Sequence, residues 1–275
     1  MYRRIGYILI FSILVMMTGC SSYAKLQKSD DYELKFRMAK NYLQERRYIR
    51  AISLLEDVMP NFRGTSQAED IIYLLGKSYM LADSKSTASN YLSASEYFES
   101  YLRNYPKGKY AEEVRFQIAY CYYLDSPDVR LDQTATENAI YSFNEYIEFY
   151  PAGTYVEDAY RYLNEMEDKM AEKIFVSAKL YYDLGLYGGN NYKACVVTAE
   201  NMLKEYPDSK FREDAVFLIL KAKAKEAQLS VAEKQKERYS EVVDEYYRYV
   251  NEFQNGKYVK EAGRILKEAR HVVDN

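Results

Sequence analysis

The sequence predicts an all-α fold in which helical hairpins stack one after another, and three observations support this prediction. Helix-breaking residues are few, with 11 Gly and 5 Pro among 275 residues. An aromatic residue with the same apolar spacing in front of it recurs five times along the chain. A single helical hairpin buries only one of its faces, so repeated hairpins must stack to form a continuous core.

Composition and charge exclude several classes of function. The chain carries 38 Lys and Arg against 41 Asp and Glu and lacks the positive surplus of a nucleic-acid binder. Its single histidine, His271, cannot form a histidine metal site or a catalytic triad. Acidic pairs such as Glu112 and Glu113 could act as a general acid and base, but adjacent residues on a helix point about 100° apart. Their negative charges also interact favourably with the dipole at the start of a helix, which explains them without catalysis. We therefore expect no catalysis, no cofactor and no metal.

Residues 1–19 are predicted to be a signal peptide. Two arginines precede an apolar run of about 13 residues, which is too short to span a bilayer. The Thr-Gly-Cys ending at 18–20 resembles the cleavage site of bacterial lipoproteins, in which Cys20 becomes the acylated first residue. An ordinary buried N-terminal helix is the alternative. We expect the polar residues 20–30 to form a flexible tether between the lipid and the folded part.

Cleavage would change the net charge from -3 to -5, because two arginines leave with the signal peptide. We expect the lipid on Cys20, and not surface charge, to hold such an acidic chain at the membrane. Two other cysteines, Cys121 and Cys195, occupy small-residue positions in separate helical patterns. They are predicted to be two separate buried thiols, with a disulfide between them as the alternative.

The recurring pattern places four side chains on one helical stripe in each repeat. The aromatic residue ends the stripe, and the other three members stand 4, 7 and 11 positions before it. The five stripes are Ala51, Leu55, Val58, Phe62; Ala94, Phe98, Tyr101, Tyr105; Ala139, Phe143, Tyr146, Tyr150; Cys195, Ala199, Met202, Tyr206; and Val242, Tyr246, Tyr249, Phe253. Each stripe predicts an amphipathic helix with a small residue where it crosses its neighbour.

Each of these helices follows another helix that carries a small residue three positions before a tyrosine. The pairs are Ala39 and Tyr42, Gly76 and Tyr79, Ala119 and Tyr122, and Ala178 and Tyr181. The fifth repeat keeps Ala222 but has Lys225 in the tyrosine position. Small residues let the two helices of a hairpin approach closely.

The spacing of the repeats predicts a long connecting helix. The aromatic anchors stand 43, 45, 56 and 47 residues apart, so the third interval is about 11 residues too long, which equals three helical turns. The stretch 155–184 contains no Pro and only helix-compatible residues. We therefore assign repeats one to three to residues 31–154. Residues 155–275 contain the long helix, repeats four and five, and a cap helix at 258–273.

This pattern resembles the tetratricopeptide repeat and implies a tetratricopeptide-type α-solenoid of five helical hairpins plus a C-terminal cap helix. Within that class the chain resembles the BamD family, lipoproteins of the outer-membrane β-barrel assembly machine. The resemblance is carried by YPAGTYVEDAYRYL at 150–163, DKMA at 168–171, SAKLYYDLG at 177–185 and MLKEYPDSKFREDA at 202–215, with Asp132 and Gln133 upstream.

The resemblance implies a non-catalytic adaptor that is lipid-anchored to the outer membrane and faces the periplasm. The implied partners are a POTRA-bearing, BamA-like barrel protein, other lipoproteins of the assembly machine and unfolded outer-membrane proteins, but not nucleic acid. Its docking face would involve the long helix and the fourth hairpin, with Arg161, Lys169 and Tyr181 as candidates. Solvated surface charges are the alternative for the two cations, and core packing is the alternative for Tyr181.

The resemblance also implies that the N-terminal repeats receive the C-terminal signal of unfolded barrel proteins. Aromatic side chains of the first helices are the candidates for such a peptide groove, and inter-repeat packing is the alternative for each of them. They are Tyr32, Phe36, Tyr73, Phe116 and Tyr120. A different function stays open for the whole chain, namely a periplasmic repeat lipoprotein that scaffolds cell-envelope or division enzymes or binds glycans.

Overall fold

The computed structural model of the protein describes residues 22–82 and 89–275. Within these ranges it contains eleven α-helices from Tyr32 onward, a helical segment at residues 22–27, one short 3-10 helix at Met59–Phe62 and no strand. The α-helices are α1 (Tyr32–Gln44), α2 (Tyr48–Val58), α3 (Ala68–Leu81), α4 (Ser89–Asn104), α5 (Ala111–Asp125), α6 (Thr134–Phe149), α7 (Val156–Leu184), α8 (Asn191–Glu205), α9 (Arg212–Gln228), α10 (Ala232–Glu252) and α11 (Val259–Val273).

Successive helices pack as adjacent pairs, which confirms the predicted all-α fold of tetratricopeptide type. The predicted signal peptide, Cys20 and most of the insertion in the turn before α4 lie outside the described residues. No helix in the described part of the chain is both long and apolar enough to cross a membrane.

The chain divides into two compact units. The first comprises the described residues up to 125 together with Glu145–Val156, and the second comprises Ser126–Asn144 together with Glu157–Asn275. Each unit has its own core of buried aliphatic and aromatic side chains. The first core is built around α1 to α5 and the second around α7 to α11.

The predicted stripes are the buried faces of their helices. Ala94, Phe98 and Tyr101 of α4 are fully buried, as are Cys195, Ala199 and Met202 of α8, and the tyrosines that end these two stripes are half-buried. At Gly76 of α3 an added Cβ would lie 2.6 Å from the ring of Phe98. The small residue three before the tyrosine is therefore needed for the close approach of the two helices in this hairpin.

The long connecting helix is present as α7, which runs unbroken for 29 residues. The cap helix α11 lies within one residue of its predicted start. Cys121 and Cys195 are both free and buried, as predicted. Burial raises the pKa of each thiol to about 12, so both stay protonated near neutral pH.

A tyrosine hydroxyl joins α6 to α5 and to the turn that follows α6. The hydroxyl of Tyr146 donates to the carboxylate of Glu112 at 3.2 Å and accepts from the backbone N–H of Tyr155 at 2.9 Å. Glu112 also accepts from the backbone N–H of Thr154. An added Cβ at Gly153 would lie 2.6 Å from the tyrosine hydroxyl, so only glycine fits this turn. We call this arrangement the tyrosine clamp.

The same clamp occurs in two other repeats. Its members are Glu69, Tyr101 and Gly108 in the second repeat, and Glu213, Tyr249 and Gly256 in the fifth. The clamp explains why the turns read PKGKY, PAGTY and QNGKY. It also gives the acidic residues at the starts of α3, α5 and α9 a specific tertiary role in addition to their interaction with the helix dipole.

The fourth repeat replaces all three members of the clamp together. Met202 stands in the tyrosine position and Ser209 in the glycine position. The hydroxyl of Ser209 donates to the carboxylate of Asp168 at 2.9 Å, and the backbone N–H of Lys210 donates to the same carboxylate at 3.0 Å. Because Met202 has no hydroxyl, the turn has room for the side chain of Ser209. The serine hydroxyl then bonds the carboxylate in place of the tyrosine hydroxyl.

Part of the segment expected to be a tether is ordered. Residues 22–27 are helical, and the ring of Tyr23 meets the ring of Tyr42 edge-on at 5.7 Å between centroids. The amide of Gln27 donates to the hydroxyl of Ser53 at 3.1 Å. The aromatic and apolar residues in this mostly polar stretch therefore attach it to the first hairpin.

The turn between α1 and α2 has an arginine in a conformation that favours glycine. Arg46 has a φ of +58°, and no other non-glycine residue in the described ranges has a positive φ. The backbone N–H of Arg46 donates a hydrogen bond to the carbonyl of Leu43, and the backbone N–H of Arg47 donates one to the carbonyl of Tyr42. These are the two hydrogen bonds of a Schellman motif, in which glycine usually occupies the left-handed position.

Arg46→Gly is accordingly expected to stabilise the fold. A side chain in the left-handed region costs about 1–2 kcal/mol relative to glycine, less the entropy that glycine adds to the unfolded chain. Urea unfolding followed by helical circular dichroism should show a higher midpoint for the variant. An equal change for Arg47→Gly, which removes a neighbouring arginine, would contradict this conformational explanation.

Candidate partner-binding surface

The C-terminal half of α7 carries apolar side chains on two opposite faces. Ala171 and Ala178 are fully buried and belong to the same core cluster as Cys195 of α8. A helix turns by about 100° per residue, so Val176 and Leu180 lie on the side of α7 that faces away from this core. One face of the helix thus holds the repeat together, and the other face is available for binding.

The outward face carries a row of exposed apolar side chains. Val176, Leu180 and Leu184 stand four residues apart and are 40%, 58% and 39% exposed, and Tyr187 in the following turn is 83% exposed. We call these four residues the α7 stripe. Single exposed apolar residues are ordinary on a protein surface, whereas a contiguous set is typical of an interaction site.

Charged residues border the α7 stripe. By helical geometry Lys173 stands in line with the stripe about one turn before Val176, and the exposed Asp183 lies beside the stripe. An apolar centre with a polar border is the usual composition of a protein–protein interface. The surface is therefore suited to a protein partner that has an apolar face of its own.

A groove lies on the inner side of the same unit. Two adjoining cavities of about 280 and 230 Å³ share Tyr182, Lys221 and Glu261 in their walls. The ammonium of Lys221 lies 5.0 Å from the ring centroid of Tyr182 and 5.7 Å from that of Phe217. Aromatic walls with both a cation and a carboxylate suit an extended peptide of mixed composition.

Arg161, one of the predicted partner-binding residues, is exposed on α7. Its guanidinium pairs with the carboxylate of Asp158 at 2.5 Å and stacks over the ring of Tyr162 at 4.7 Å. A hydrogen bond with Tyr162 and the neighbouring carboxylates raise its pKa. The residue is accessible, and a partner's carboxylate would have to compete with these internal contacts.

Lys169, the second predicted cation, faces inward. Its ammonium donates to the carbonyl oxygen of Ser126 at 3.1 Å and to the hydroxyl of the same residue at 2.6 Å. Partial burial lowers its pKa. Lys169 thereby holds the insertion before α6, where buried Gln133 accepts from Thr136 and donates to two backbone carbonyls. The structure does not bring Arg161 and Lys169 together on one binding face.

Tyr181 is not a core residue, contrary to the packing role suggested by its repeat position. Its side chain is 36% exposed at the edge of the α7 stripe. The neighbouring Tyr182 faces the core instead, where its ring meets that of Tyr192 at 5.7 Å. Ala178, three positions before Tyr181, keeps the buried position that the repeat pattern predicts. Exposure keeps Tyr181 available to a partner.

Three of the five predicted groove residues are buried in the first unit. Phe36, Tyr73 and Phe116 are between 3% and 6% exposed. They pack between helices, as the alternative of inter-repeat packing predicts. Their rings therefore present little surface to a peptide. Tyr32 and Tyr120 are half-buried and keep some accessible surface.

Tyr73 and Phe116 have a shared structural role. The ring of Tyr73 stacks on Tyr110 at 3.8 Å, and Phe116 stacks on Tyr155 at 4.7 Å. Burial and a hydrogen bond to Glu113 raise the pKa of Tyr73. Each ring therefore covers the turn that is closed by the tyrosine clamp.

The α7 stripe was not predicted, because the repeat pattern assigns only one apolar face to each helix. The signal was present: α7 has apolar residues at the spacing of its buried face and again at Val176, Leu180 and Leu184. No group of three or more potential ligands for a metal ion occurs among the residues that the structure describes.

Comparison with known proteins gives a distant similarity to an outer-membrane assembly factor. The chain is 22% identical over 214 residues to the outer membrane protein assembly factor BamD of Caulobacter vibrioides. The alignment covers 76% of this chain and 68% of that protein. No protein-family model matches the chain. The similarity is distant, and it supports a BamD-like relationship for most of the chain.

Proposed function

We propose that this chain is a non-catalytic adaptor in the assembly of outer-membrane β-barrel proteins. It docks through the α7 stripe to the periplasmic POTRA region of a barrel-forming, BamA-like partner. The observation that carries the proposal is the apolar stripe on the outward face of a helix whose inward face is already fully packed. The similarity to an outer membrane protein assembly factor supports this choice of partner.

The dimensions of the surface support a protein partner. From Val176 to Leu184 the stripe extends over eight residue steps, or roughly 12 Å of helix, and Tyr187 adds to it from the following turn. Large apolar side chains such as Leu180 and Tyr187 lose much exposed area on docking, which is the main driving force for association. Arg161 and Tyr181 remain candidate contacts beside the stripe, whereas Lys169 acts inside the chain.

The proposal includes a lipid anchor on Cys20 that holds the adaptor at the periplasmic face of the outer membrane. Other lipoproteins of the assembly machine and unfolded barrel proteins are further proposed partners. For the unfolded substrates, Tyr32 and Tyr120 are the predicted groove residues that retain accessible surface. The groove around Lys221 supplies a second place where an extended segment fits.

Leu180→Glu should abolish co-purification of the POTRA-bearing barrel protein with the detergent-solubilised chain. A carboxylate at the centre of an apolar contact loses its hydration without gaining a partner, which costs several kcal/mol on binding. The measurement is affinity capture from solubilised membranes of the source cells, followed by identification of the bound proteins.

Leu131→Glu is a matched control for this experiment. Leu131 is 60% exposed against 58% for Leu180, and it lies in the loop before α6 and is not a member of the α7 stripe. The control variant should retain the barrel protein. Recovery of peptidoglycan synthases without a POTRA-bearing protein by the unmodified chain would reject the assembly role in favour of cell-envelope scaffolding.

A further inference from the structure

Charge is distributed unevenly along the mature chain. Residues 22–63, which comprise the first hairpin and the helical segment before it, contain nine Lys and Arg against six Asp and Glu. Residues 64–275 contain 27 Lys and Arg against 35 Asp and Glu. The first hairpin therefore has a net charge of +3 in a chain whose remainder has a net charge of -8.

The positive charge is concentrated in the turn between α1 and α2. Arg46 and Arg47 are exposed, and Arg50 follows within the first turn of α2. Only Arg47 has a carboxylate within 4 Å among the described residues, that of Glu45 at 3.1 Å. Between these cations stands Ile49, which is 71% exposed. An exposed aliphatic side chain surrounded by arginines suits an interface between water and anionic lipid.

This turn lies beside the start of the mature chain. The guanidinium of Arg50 stacks over the ring of Tyr23 at 4.9 Å and over that of Tyr42 at 5.7 Å. Tyr23 follows Cys20 by three positions, which span at most about 11 Å when the chain is fully extended. A lipid on Cys20 would consequently bring the arginine turn to the membrane surface.

The backbone at Arg46 supports a function for its charge. The residue occupies the left-handed position of a Schellman motif, where glycine would be more stable. A strained residue at an exposed turn, with a charged side chain directed to solvent, indicates that the side chain serves something other than folding.

We propose that the turn formed by Arg46, Arg47, Ile49 and Arg50 binds anionic phospholipid headgroups, with Ile49 entering the interfacial layer. This inference rests on the membrane location proposed above. It revises the expectation that an acidic chain gains nothing from charge at a membrane, because the relevant charge is local. The contact would add to the lipid anchor and fix the orientation of the first hairpin at the membrane surface.

Vesicle flotation tests the proposal. The chain from residue 20 to 275, without acylation, contains every described residue and should bind vesicles of phosphatidylcholine with phosphatidylglycerol but not vesicles of phosphatidylcholine alone. Arg46→Gly should weaken binding about fivefold while raising the midpoint of thermal unfolding. Weaker binding by a better-folded variant cannot result from loss of structure.

Arg264→Gln is the matched control, because Arg264 is an exposed cation on α11 without an ion pair in the described residues. It should leave binding unchanged. Equal binding by Arg46→Gly and the unmodified chain, or an equal loss in the control, would overturn the proposal. Binding of an acidic polypeptide with the same dependence on Arg46, but not of vesicles, would reassign the surface to a protein. Flotation includes no partner protein, so its failure is distinguishable from failure of the Leu180→Glu experiment.

Discussion

Replacing Phe98 with alanine is expected to lower the free energy of unfolding by about 3–5 kcal/mol. The side chain is fully buried in the core of the first unit, where its ring lies against Gly76 of the facing helix. Alanine would remove most of the apolar contact between α3 and α4. The hydrogen bond from Tyr101 to Glu69 of α3 keeps the two helices near their present distance, so the cavity closes only in part.

Urea unfolding followed by helical circular dichroism measures this effect. Phe149→Ala is the control, because Phe149 is 56% exposed and its ring contacts mainly the guanidinium of Arg115 at 3.7 Å. The control should change the free energy of unfolding by less than about 1 kcal/mol. Similar losses for the two variants would mean that the stripe of α4 is not the packing face of its hairpin.

The repeat architecture could be predicted because its cause is local and periodic. The members of each stripe stand 4, 7 and 11 residues before the anchor, and a helix places such residues on one side whatever surrounds it. The added 11 residues in the third interval likewise identified α7, since only three further helical turns accommodate them without a break. Gly76 and Ala178 were identified as contact residues by size alone.

The tyrosine clamp could not be predicted from such spacing. Glu112 and Tyr146 are 34 residues apart, and each has a sufficient local explanation as a helix-start acid and a stripe residue. Their contact depends on the path of the turn that brings Gly153 between them. The outward face of α7 was not predicted for a related reason. Burial depends on the neighbouring elements, and the sequence pattern around Tyr181 does not show that its side chain stays 36% exposed.

The clamp in the fourth repeat can be restored, and this provides the second large expected effect. Met202→Tyr alone should destabilise the chain by about 1–3 kcal/mol, because the new hydroxyl would reach the space occupied by the Cβ of Ser209. In the third repeat the equivalent separation, from Gly153 to Tyr146, would be 2.6 Å. Such overlap forces either the tyrosine or the turn away from its place.

Ser209→Gly alone should destabilise by about 0.5–1.5 kcal/mol, since the carboxylate of Asp168 loses the serine hydroxyl. Combining it with Met202→Tyr makes room for the tyrosine hydroxyl. That hydroxyl can then donate to Asp168 and accept from the N–H of Phe211, which now donates to Ser209 at 3.2 Å. The double variant should therefore be at least about 1 kcal/mol more stable than the sum of the single effects predicts.

The four proteins of this double-mutant cycle differ only inside the second unit, and their unfolding in urea gives the coupling energy directly. A favourable coupling means that the tyrosine, the glycine and the acidic residue of the clamp stabilise the repeat together. In the fourth repeat methionine, serine and aspartate would then be the matching set. Strictly additive effects would mean that the glycine turn and the tyrosine are independent features of the repeat. In that case the tyrosine would be retained for its ring alone, and Tyr146→Phe would leave stability unchanged.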